Sequence, residues 1–89
     1  MRAARYARQF KKDVRLAQKR RKDIDKLKKF IADLVEGHAI AEKHKDHALA
    51  GDFTGYRECH LEPDWLLIYK LSPSEIHFVR VGTHSDLFG

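Results

Sequence analysis

The sequence has a single cysteine and no long apolar run. One cysteine, Cys59, cannot form an internal disulfide, which fits a reducing compartment such as the cytoplasm. No stretch approaches the roughly 20 apolar residues of a membrane-spanning helix, and no apolar signal segment follows the basic N-terminus. We therefore expect a cytoplasmic protein with no membrane partner. Its 89 residues predict a single domain, 1–89, with no room for a large cofactor pocket.

Several familiar catalytic motifs are also missing. There is no glycine-rich phosphate loop and no serine or cysteine nucleophile motif. Cys59 has no second cysteine with which to hold zinc. A ligand group of His38, His44, Asp46 and His47 matches the spacing of no common structural zinc site. We therefore expect neither a metal ion nor another cofactor.

Charge is divided unevenly along the chain. Residues 1–29 carry 13 Lys or Arg against 3 Asp or Glu, whereas residues 30–89 carry 5 against 10. A cationic first third is thus joined to an acidic remainder, within a net charge of +5. Such a segment favours a polyanionic partner, either RNA or DNA. An acidic protein partner and a solvated helix surface are the alternatives.

Two amphipathic helices are predicted within and just beyond the cationic third. Apolar residues recur at helical spacing from Phe10 to Ala17, and the basic run at 19–22 then interrupts the pattern, which predicts a turn. Asp23 is a suitable N-cap for the second helix, and Gly37 is a suitable C-terminal cap. This hairpin needs a sheet to cover its apolar side.

The second half of the chain predicts a three-stranded antiparallel meander. Strands are expected at 56–62, 65–71 and 75–82, joined by short turns. Residues 2–8 predict a further strand, and residues 38–55 predict a loop. The fold class is therefore α+β, with an N-terminal strand and a two-helix hairpin packed on one face of a small, mostly antiparallel sheet.

The first meander strand has a polar face, which we expect on the side of the sheet left uncovered by the helices. Arg57 alternates onto the face that the helices cover, so we expect it to form a partly buried ion pair. Asp64 lies in the turn that ends the strand. Alternation gives the uncovered face four side chains: Tyr56, Glu58, His60 and Glu62.

Six histidines are a high number for this length. Surface positions in the loop are expected for His38 and His44, and a packed position for His77. Arg80 shares strand parity with the C-terminal histidine, so it is expected on the same side. The histidines that remain as candidates for chemistry are His47, His60 and His84.

Histidines, a carboxylate and an arginine suit RNA cleavage through the 2′-hydroxyl group. One group must take the 2′ proton, another must protonate the 5′ oxygen, and positive charge must stabilise the pentacovalent phosphorane. The protein supplies no nucleophile in this reaction. Trp65 and Phe88 are candidates for stacking on a base.

Three motifs together are specific for a known family. They are Asp46-His47-x-Leu49, the run from Gly55 to Leu71, and Gly82-Thr-His-Ser-Asp-Leu-Phe88. With the opening Phe10-Lys-Lys-Asp element, they cover nearly the whole chain. The sequence thus resembles the YafQ branch of the RelE/ParE toxin superfamily.

The resemblance implies a RelE-like fold and a bacterial toxin of a type II toxin–antitoxin pair. Such toxins are mRNA interferases, ribosome-dependent endoribonucleases that cut mRNA in the decoding site. The resemblance also implies an antitoxin with a ribbon-helix-helix DNA-binding part, through which alone operator DNA would be bound. The functional residues carried over by motif are His47, His60, Asp64, His84 and Phe88.

On this reading, the basic hairpin grips ribosomal RNA, with Lys11 and Lys12 among its contacts. One alternative is a non-catalytic inhibitor that binds a protein such as gyrase, as ParE-like relatives do. Nothing in that role asks for three histidines and an aspartate around one face. Another alternative is a regulatory protein that acts only through its antitoxin partner.

Overall fold

The computed structural model describes residues 2–89. Within that range, five strands form one mixed sheet in the order β1-β5-β4-β3-β2, and three α-helices pack around it. Among these helices, none is long and apolar enough to cross a membrane. The elements are β1 Ala3–Tyr6, α1 Arg8–Lys19, α2 Ile24–Glu36, β2 His47–Ala48, β3 Arg57–Glu62, β4 Trp65–Leu71, β5 Glu75–Gly82 and α3 His84–Phe88.

The helical hairpin forms where the apolar spacing predicts it. Arg21 lies in the turn between the two helices, in the left-handed region at φ 59°. The Asp23 side chain caps α2 by accepting a hydrogen bond of 3.1 Å from the Lys26 backbone N–H. Gly37 follows α2 at φ 81°, a conformation that glycine adopts at little cost. Both helices and both predicted caps of α2 are confirmed.

The predicted antiparallel meander is also confirmed. Strands β3, β4 and β5 pair antiparallel in chain order. Strand β1 joins the sheet by pairing parallel to β5, with Ala3 opposite Glu75. Residues 38–55, expected to be a loop, include the short strand β2, which pairs with β3. The fold is therefore the predicted α+β arrangement with one additional edge strand.

The sheet face beneath α1 and α2 holds the main apolar core. Phe10, Leu27 and Leu34 of the helices pack there against side chains of β3, β4 and β5. Trp65 and Tyr69 are among its largest fully buried side chains. Full burial of one large apolar side chain contributes about 1.5–3 kcal/mol, so this face supplies most of the apolar stabilisation.

The opposite sheet face is covered at its centre, contrary to the expectation of an uncovered surface. Leu66 and Ile68 of β4 are fully buried there, in a small core with Leu87 of α3. Leu49 and Phe53, from the segment before β3, pack against the same core. The expectation is wrong because β4 is apolar on both faces, and each apolar face needs a cover.

Two β-bulges interrupt the side-chain alternation of the sheet, and one of them overturns the parity expected for Glu62. The register between β3 and β4 shifts just before Glu62, whose carboxylate lies 3.5 Å from Lys22 Nζ and 3.3 Å from Lys26 Nζ. A second shift lies between β4 and β5, where Arg80 stands opposite Ile68 and its side chain reaches Asp13 of α1. Each bulge adds one residue to a strand, which breaks a period of two. Glu62 therefore lies off the polar face and its expected position is wrong, whereas the expected side for Arg80 stays a prediction.

Candidate active site

Three histidines lie in a row beside the smaller core. His47 comes from β2, His60 from β3 and His84 from the start of α3. The ring centroids of His47 and His60 are 6.4 Å apart, and those of His60 and His84 are 5.9 Å apart. The structure thus brings together the three histidines selected from the sequence, and we call them the histidine row.

A buried carboxylate lies between two members of the row. Glu58 is only 5% exposed. Its Oε1 atom lies 3.2 Å from His60 Nε2 and 3.3 Å from His47 Nε2. The pairing of β2 with β3 sets His47 directly opposite Glu58, which explains this geometry. Sequence reasoning placed Glu58 on the right face but missed it as a site residue, although it lies two positions from His60 in the same strand.

A hydrogen-bonded network holds the start of β2, and therefore His47, against the sheet. Asp46 accepts hydrogen bonds from Arg57 Nε at 3.0 Å and from the Tyr69 hydroxyl at 2.6 Å. Burial, followed by the contact with Asp46, raises the pKa of Tyr69, so the hydroxyl remains a donor. The half-buried Arg57 forms the ion pair that the sequence predicted.

His44 holds the backbone of the histidine row in place. It was expected to be a surface side chain, but it is half-buried, and its ring meets the Phe30 ring edge-on at 4.6 Å. Its Nδ1 atom donates a hydrogen bond of 2.8 Å to the carbonyl oxygen of His60. The expectation is wrong because the loop folds back over α2. His44 therefore fixes the backbone that carries the central imidazole of the row.

The turn carboxylate contacts the third histidine. Asp64 Oδ1 accepts hydrogen bonds from the backbone N–H of His84 at 2.9 Å and from its Nδ1 at 2.6 Å. These two bonds, the backbone one first, lower the pKa of Asp64. Because Nδ1 is engaged by Asp64, Nε2 is the nitrogen of His84 left for a substrate. Both side chains are exposed to solvent.

Helix α3 is only five residues long, and several contacts hold it in place. Thr83 and Asp86 form a capping box at its first turn. The carboxylate of Asp86 also accepts two hydrogen bonds from Arg20, at 2.6 and 3.2 Å. The Arg20 contact and the Thr83 backbone N–H lower the pKa of Asp86 to about 2. At Gly82, an added Cβ would lie 3.0 Å from the Asp86 side chain, so a larger residue would displace this contact.

The charge of Arg80 is paired with a carboxylate of α1 instead of a group in the histidine row. Its Nε and Nη2 atoms donate hydrogen bonds to Asp13 at 2.7 and 3.2 Å. Asp13 is buried and also accepts the backbone N–H of Val81 at 3.1 Å. The hydrogen bonds with Asp13 raise the pKa of Arg80. A role for Arg80 toward RNA therefore stays a prediction, whereas its contact with α1 is observed.

The two aromatic candidates for base stacking differ in exposure. Trp65 is 1% exposed within the main core, so its ring cannot stack on an RNA base, and that prediction is wrong. Phe88 is 46% exposed at the end of α3 and packs edge-on against Phe53 at 5.5 Å. An exposed ring held by a second ring is suited to stacking. Phe88 is therefore the aromatic side chain that the geometry favours.

The basic surface lies on α1 and α2. Lys11 and Lys12 are exposed on α1, and among the side chains that the structure describes no acidic group pairs with them. Such cations remain available for contact with phosphate groups. Charge patterning in the sequence therefore located an accessible cationic surface, distinct from the histidine row.

The histidine row has side chains that can accept a proton from a substrate and side chains that can donate one to it. One end of the row has a buried carboxylate behind His47 and His60, and the other has an exposed carboxylate beside His84. Imidazoles at separate positions can accept a proton at one place and donate one at another. Three of the same side chains, His47, Glu58 and His60, also offer metal-ligand atoms that lie within 4.8 Å of one another.

Comparisons with known proteins point to one family. A family model described as "Bacterial toxin of type II toxin-antitoxin system, YafQ" matches residues 2–89. The mRNA interferase toxin YafQ of Escherichia coli K12 is 49% identical over 85 residues, which span 94% of this chain and 92% of that protein. Both matches extend over the elements that carry the histidine row.

Solved structures give the same result. A chain of the Escherichia coli DinJ-YafQ toxin–antitoxin complex is 48% identical, with a TM-score of 0.92 over 99% of this chain and 98% of that chain. A metal-bound toxin from Helicobacter pylori is 37% identical, with a TM-score of 0.91 over 99% of this chain and 100% of that chain. The fold is thus shared with toxins of this kind along the whole described chain.

Proposed function

Because this chain belongs to the YafQ family of type II toxins and is an mRNA interferase, we propose that it cuts ribosome-bound mRNA by acid–base catalysis. The observation that carries this proposal is the histidine row with a carboxylate at each end. An endoribonuclease that uses the substrate's own 2′-hydroxyl group needs proton donors and acceptors, and no protein nucleophile.

The proposed reaction has one bond-forming and one bond-breaking event. A base removes the proton of the 2′-hydroxyl group, and the 2′ oxygen attacks the adjacent phosphorus atom. The bond from phosphorus to the 5′ oxygen then breaks, and an acid protonates that oxygen. The products are a 2′,3′-cyclic phosphate and a free 5′-hydroxyl group. Positive charge near the phosphate stabilises the intermediate.

We assign the acid role to His84. Its Nδ1–H bond to Asp64 orients the ring and leaves Nε2 facing away from the carboxylate. We assign the base role to His60, at the centre of the row, and to His47, which contacts Glu58, the role of supplying positive charge in the transition state. Coupled groups can share these tasks, so the row is the unit of catalysis.

The proposed cleavage uses no metal ion, although the Helicobacter pylori relative is a metal-bound toxin. The side chains of the row supply a base, an acid and positive charge by themselves. Phe88, exposed beside the row, would stack on a base of the message. The proposal therefore requires that a phosphate group and a neighbouring base of the message fit into this site together.

We further propose that the cationic surface of α1 and α2 holds ribosomal RNA. Clustered lysines and arginines neutralise phosphates without reading sequence, which suits docking on a ribosome. The place of action would be the bacterial cytoplasm. The Escherichia coli relative forms a complex with the antitoxin DinJ, and a cognate antitoxin with a ribbon-helix-helix part is the partner expected here. Operator DNA would be bound only through that complex.

Mapping of cleavage ends on a defined mRNA tests the proposal. Primer extension should find new 5′ ends when ribosomes translate the message, and a chelator selective for Zn²⁺ and Cu²⁺, which spares the Mg²⁺ that ribosomes need, should not prevent cutting. Cutting of free RNA at the same rate would remove ribosome dependence. Inhibited growth without any cut ends would instead favour the gyrase-type inhibitor.

A further inference from the structure

The turn between α1 and α2 lies at the His84 end of the histidine row, and it presents an arginine. We propose that Arg21 binds the downstream phosphate of the message, which is the phosphate on the 3′ side of the nucleotide whose 5′ oxygen is released. This inference rests on the proposed function, because it uses the acid role assigned to His84. It adds a contact with the message to a part of the chain that was expected to bind ribosomal RNA.

The first contact that places the turn is with α3. The guanidinium group of Arg20 donates hydrogen bonds of 2.6 and 3.2 Å to the carboxylate of Asp86. Asp86 lies two residues after His84 in the same short helix. The residue before Arg21 is therefore bound to the helix that carries the proposed acid.

The second contact is with the strands on either side of the Asp64 turn. Lys22 Nζ lies 3.5 Å from the carboxylate of Glu62, at the end of β3, and 5.7 Å from the centre of the Trp65 ring, at the start of β4. The two hydrogen bonds from His84, the backbone one first, lower the pKa of Asp64, and the charge of Lys22 adds to this effect. The residue after Arg21 is therefore close to the carboxylate that holds His84.

The backbone of the turn would suit glycine better than arginine. The N–H groups of Arg21 and Lys22 each donate a hydrogen bond of 3.0 Å, to the carbonyl oxygens of Gln18 and Ala17. These two bonds form the motif that ends many helices with a glycine in the left-handed region. Arg21 takes that position at φ 59°, which is costly for a residue with a side chain. A side chain retained at such a cost calls for a role of its own.

The guanidinium group of Arg21 is available to a ligand, whereas other arginines around the site are not. Its side chain is exposed, and no acidic group pairs with it among the side chains described for residues 2–89. The arginines that contact elements of the site are each paired with a carboxylate: Arg20 with Asp86, Arg57 with Asp46 and Arg80 with Asp13.

The direction of the message follows from the role of His84. The bond that breaks joins phosphorus to the 5′ oxygen of the next nucleotide, and His84 is assigned to protonate that oxygen. The next nucleotide therefore lies at the His84 end of the row, and its 3′ phosphate is the nearest further negative charge of the message. Guanidinium groups bind phosphate oxygens through paired N–H donors. Arg21 is the side chain placed to do so.

A cycle between the protein and the message tests this contact. A methylphosphonate group removes the charge of one phosphate, and cleavage of such messages on ribosomes is followed by the rate of strand scission. Arg21→Gln should lower cleavage of the unmodified message ~10-fold, and so should a downstream methylphosphonate with the wild-type chain. The two changes together should cost no more than either alone, because they remove the same contact. A methylphosphonate on the 5′ side of the cleaved nucleotide should affect both chains equally.

Arg15→Gln is the matched control, since it removes another exposed guanidinium group, from the middle of α1. This variant should keep the full sensitivity to the downstream methylphosphonate. Losses that simply multiply in Arg21→Gln would overturn the inference and assign Arg21 to ribosome docking. If the wild-type chain cuts no unmodified message, the proposed function fails and the inference fails with it. If it does cut, the cycle tests the inference alone.

Arg21→Gly separates binding from folding. Glycine adopts the left-handed backbone of this turn at little cost, so the variant should melt at a higher temperature than the wild type. Its cleavage should nevertheless fall as much as that of Arg21→Gln. A lower melting temperature together with lower cleavage would make Arg21 a structural residue and overturn the inference, as would full cleavage by Arg21→Gly.

Discussion

The two faces of the sheet differ in how they are packed. The helix-covered face buries large side chains such as Trp65, Tyr69 and Phe78 beneath two long helices. The other face has a small core capped by Leu87, and beside it the histidine row with Glu58. Apolar burial contributes more per residue than partly exposed polar contacts do. The first face therefore stabilises the fold, which leaves the second free to carry chemistry.

A pair of aromatic substitutions gives the largest expected effect. Trp65→Ala should lower the free energy of unfolding by about 3–5 kcal/mol, because it empties a fully buried position. Phe88→Ala should change it by less than about 1 kcal/mol and should reduce cleavage instead. Urea denaturation and primer extension measure the two quantities. Equal losses of unfolding free energy in Trp65→Ala and Phe88→Ala would contradict the proposed difference between the two faces.

Histidine substitutions should affect activity more than stability. We expect His60→Ala and His84→Ala each to lower mRNA cleavage by ~10²-fold or more, since each removes a proton-transfer group. Ribosome binding should be retained, as measured by cosedimentation. His77→Ala, which changes a half-buried histidine of β5, serves as the control and should cut normally. Full activity of both row variants would refute the assignments.

Arg20 links the helical hairpin to α3. Its substitution should therefore affect both the stability provided by one face and the activity carried by the other. We expect Arg20→Gln to reduce cleavage about 10-fold, because Asp86 then loses the contact that places His84. Arg20→Lys should recover part of the activity. NMR titration should also show a higher pKa for Asp86 in Arg20→Gln. Normal cleavage in that variant would assign Arg20 to stability alone.

The basic hairpin should control docking and leave the chemistry intact. Lys11→Glu combined with Lys12→Glu should weaken ribosome binding several-fold and make it less sensitive to salt. Lys43→Glu combined with Lys70→Glu makes the same change of charge at exposed positions in the acidic part of the chain. Filter binding at several salt concentrations compares the pairs. Identical salt slopes for both double variants and the wild type would end the docking proposal.

Acid should loosen α3 before it affects the main core, which is the smallest effect expected. The pKa of Asp86 is lowered to about 2 by Arg20 and Thr83, so its contribution is present above the unfolded pKa, near 4. It is lost as pH falls from about 4 to about 2. NMR signals of α3 should therefore change in that window. Signals of Leu27 and Trp65 should stay native until lower pH.

The sequence predicted the parts of the fold that repeat a period over many residues. The stripe of α2 and its caps, Asp23 and Gly37, were predicted correctly because amphipathic spacing and end residues act locally. The strands of the meander were predicted for the same reason. Their ends needed only turn residues and alternation.

Short or irregular elements could not be predicted from the regular spacing of apolar residues. Strand β2 has two residues and α3 has five, so neither carries a full repeat. The bulge before Glu62 reverses the parity of one residue through its register with β4, a long-range contact. Glu58 was missed because its role depends on His47, which β2 brings opposite to it. The burial of Trp65 likewise depends on how the hairpin packs over the sheet.

The parallel pairing of β1 with β5 sets the order in which this protein can fold. Ala3 pairs with Glu75, which is far from it along the chain. Contacts between such distant residues close long loops, which slows folding. While the chain is still being synthesised, its helical hairpin has no sheet to cover. His60 and His84 therefore meet only after the residues up to His84 have emerged, and we expect a nascent chain to be harmless to the ribosome that makes it until then.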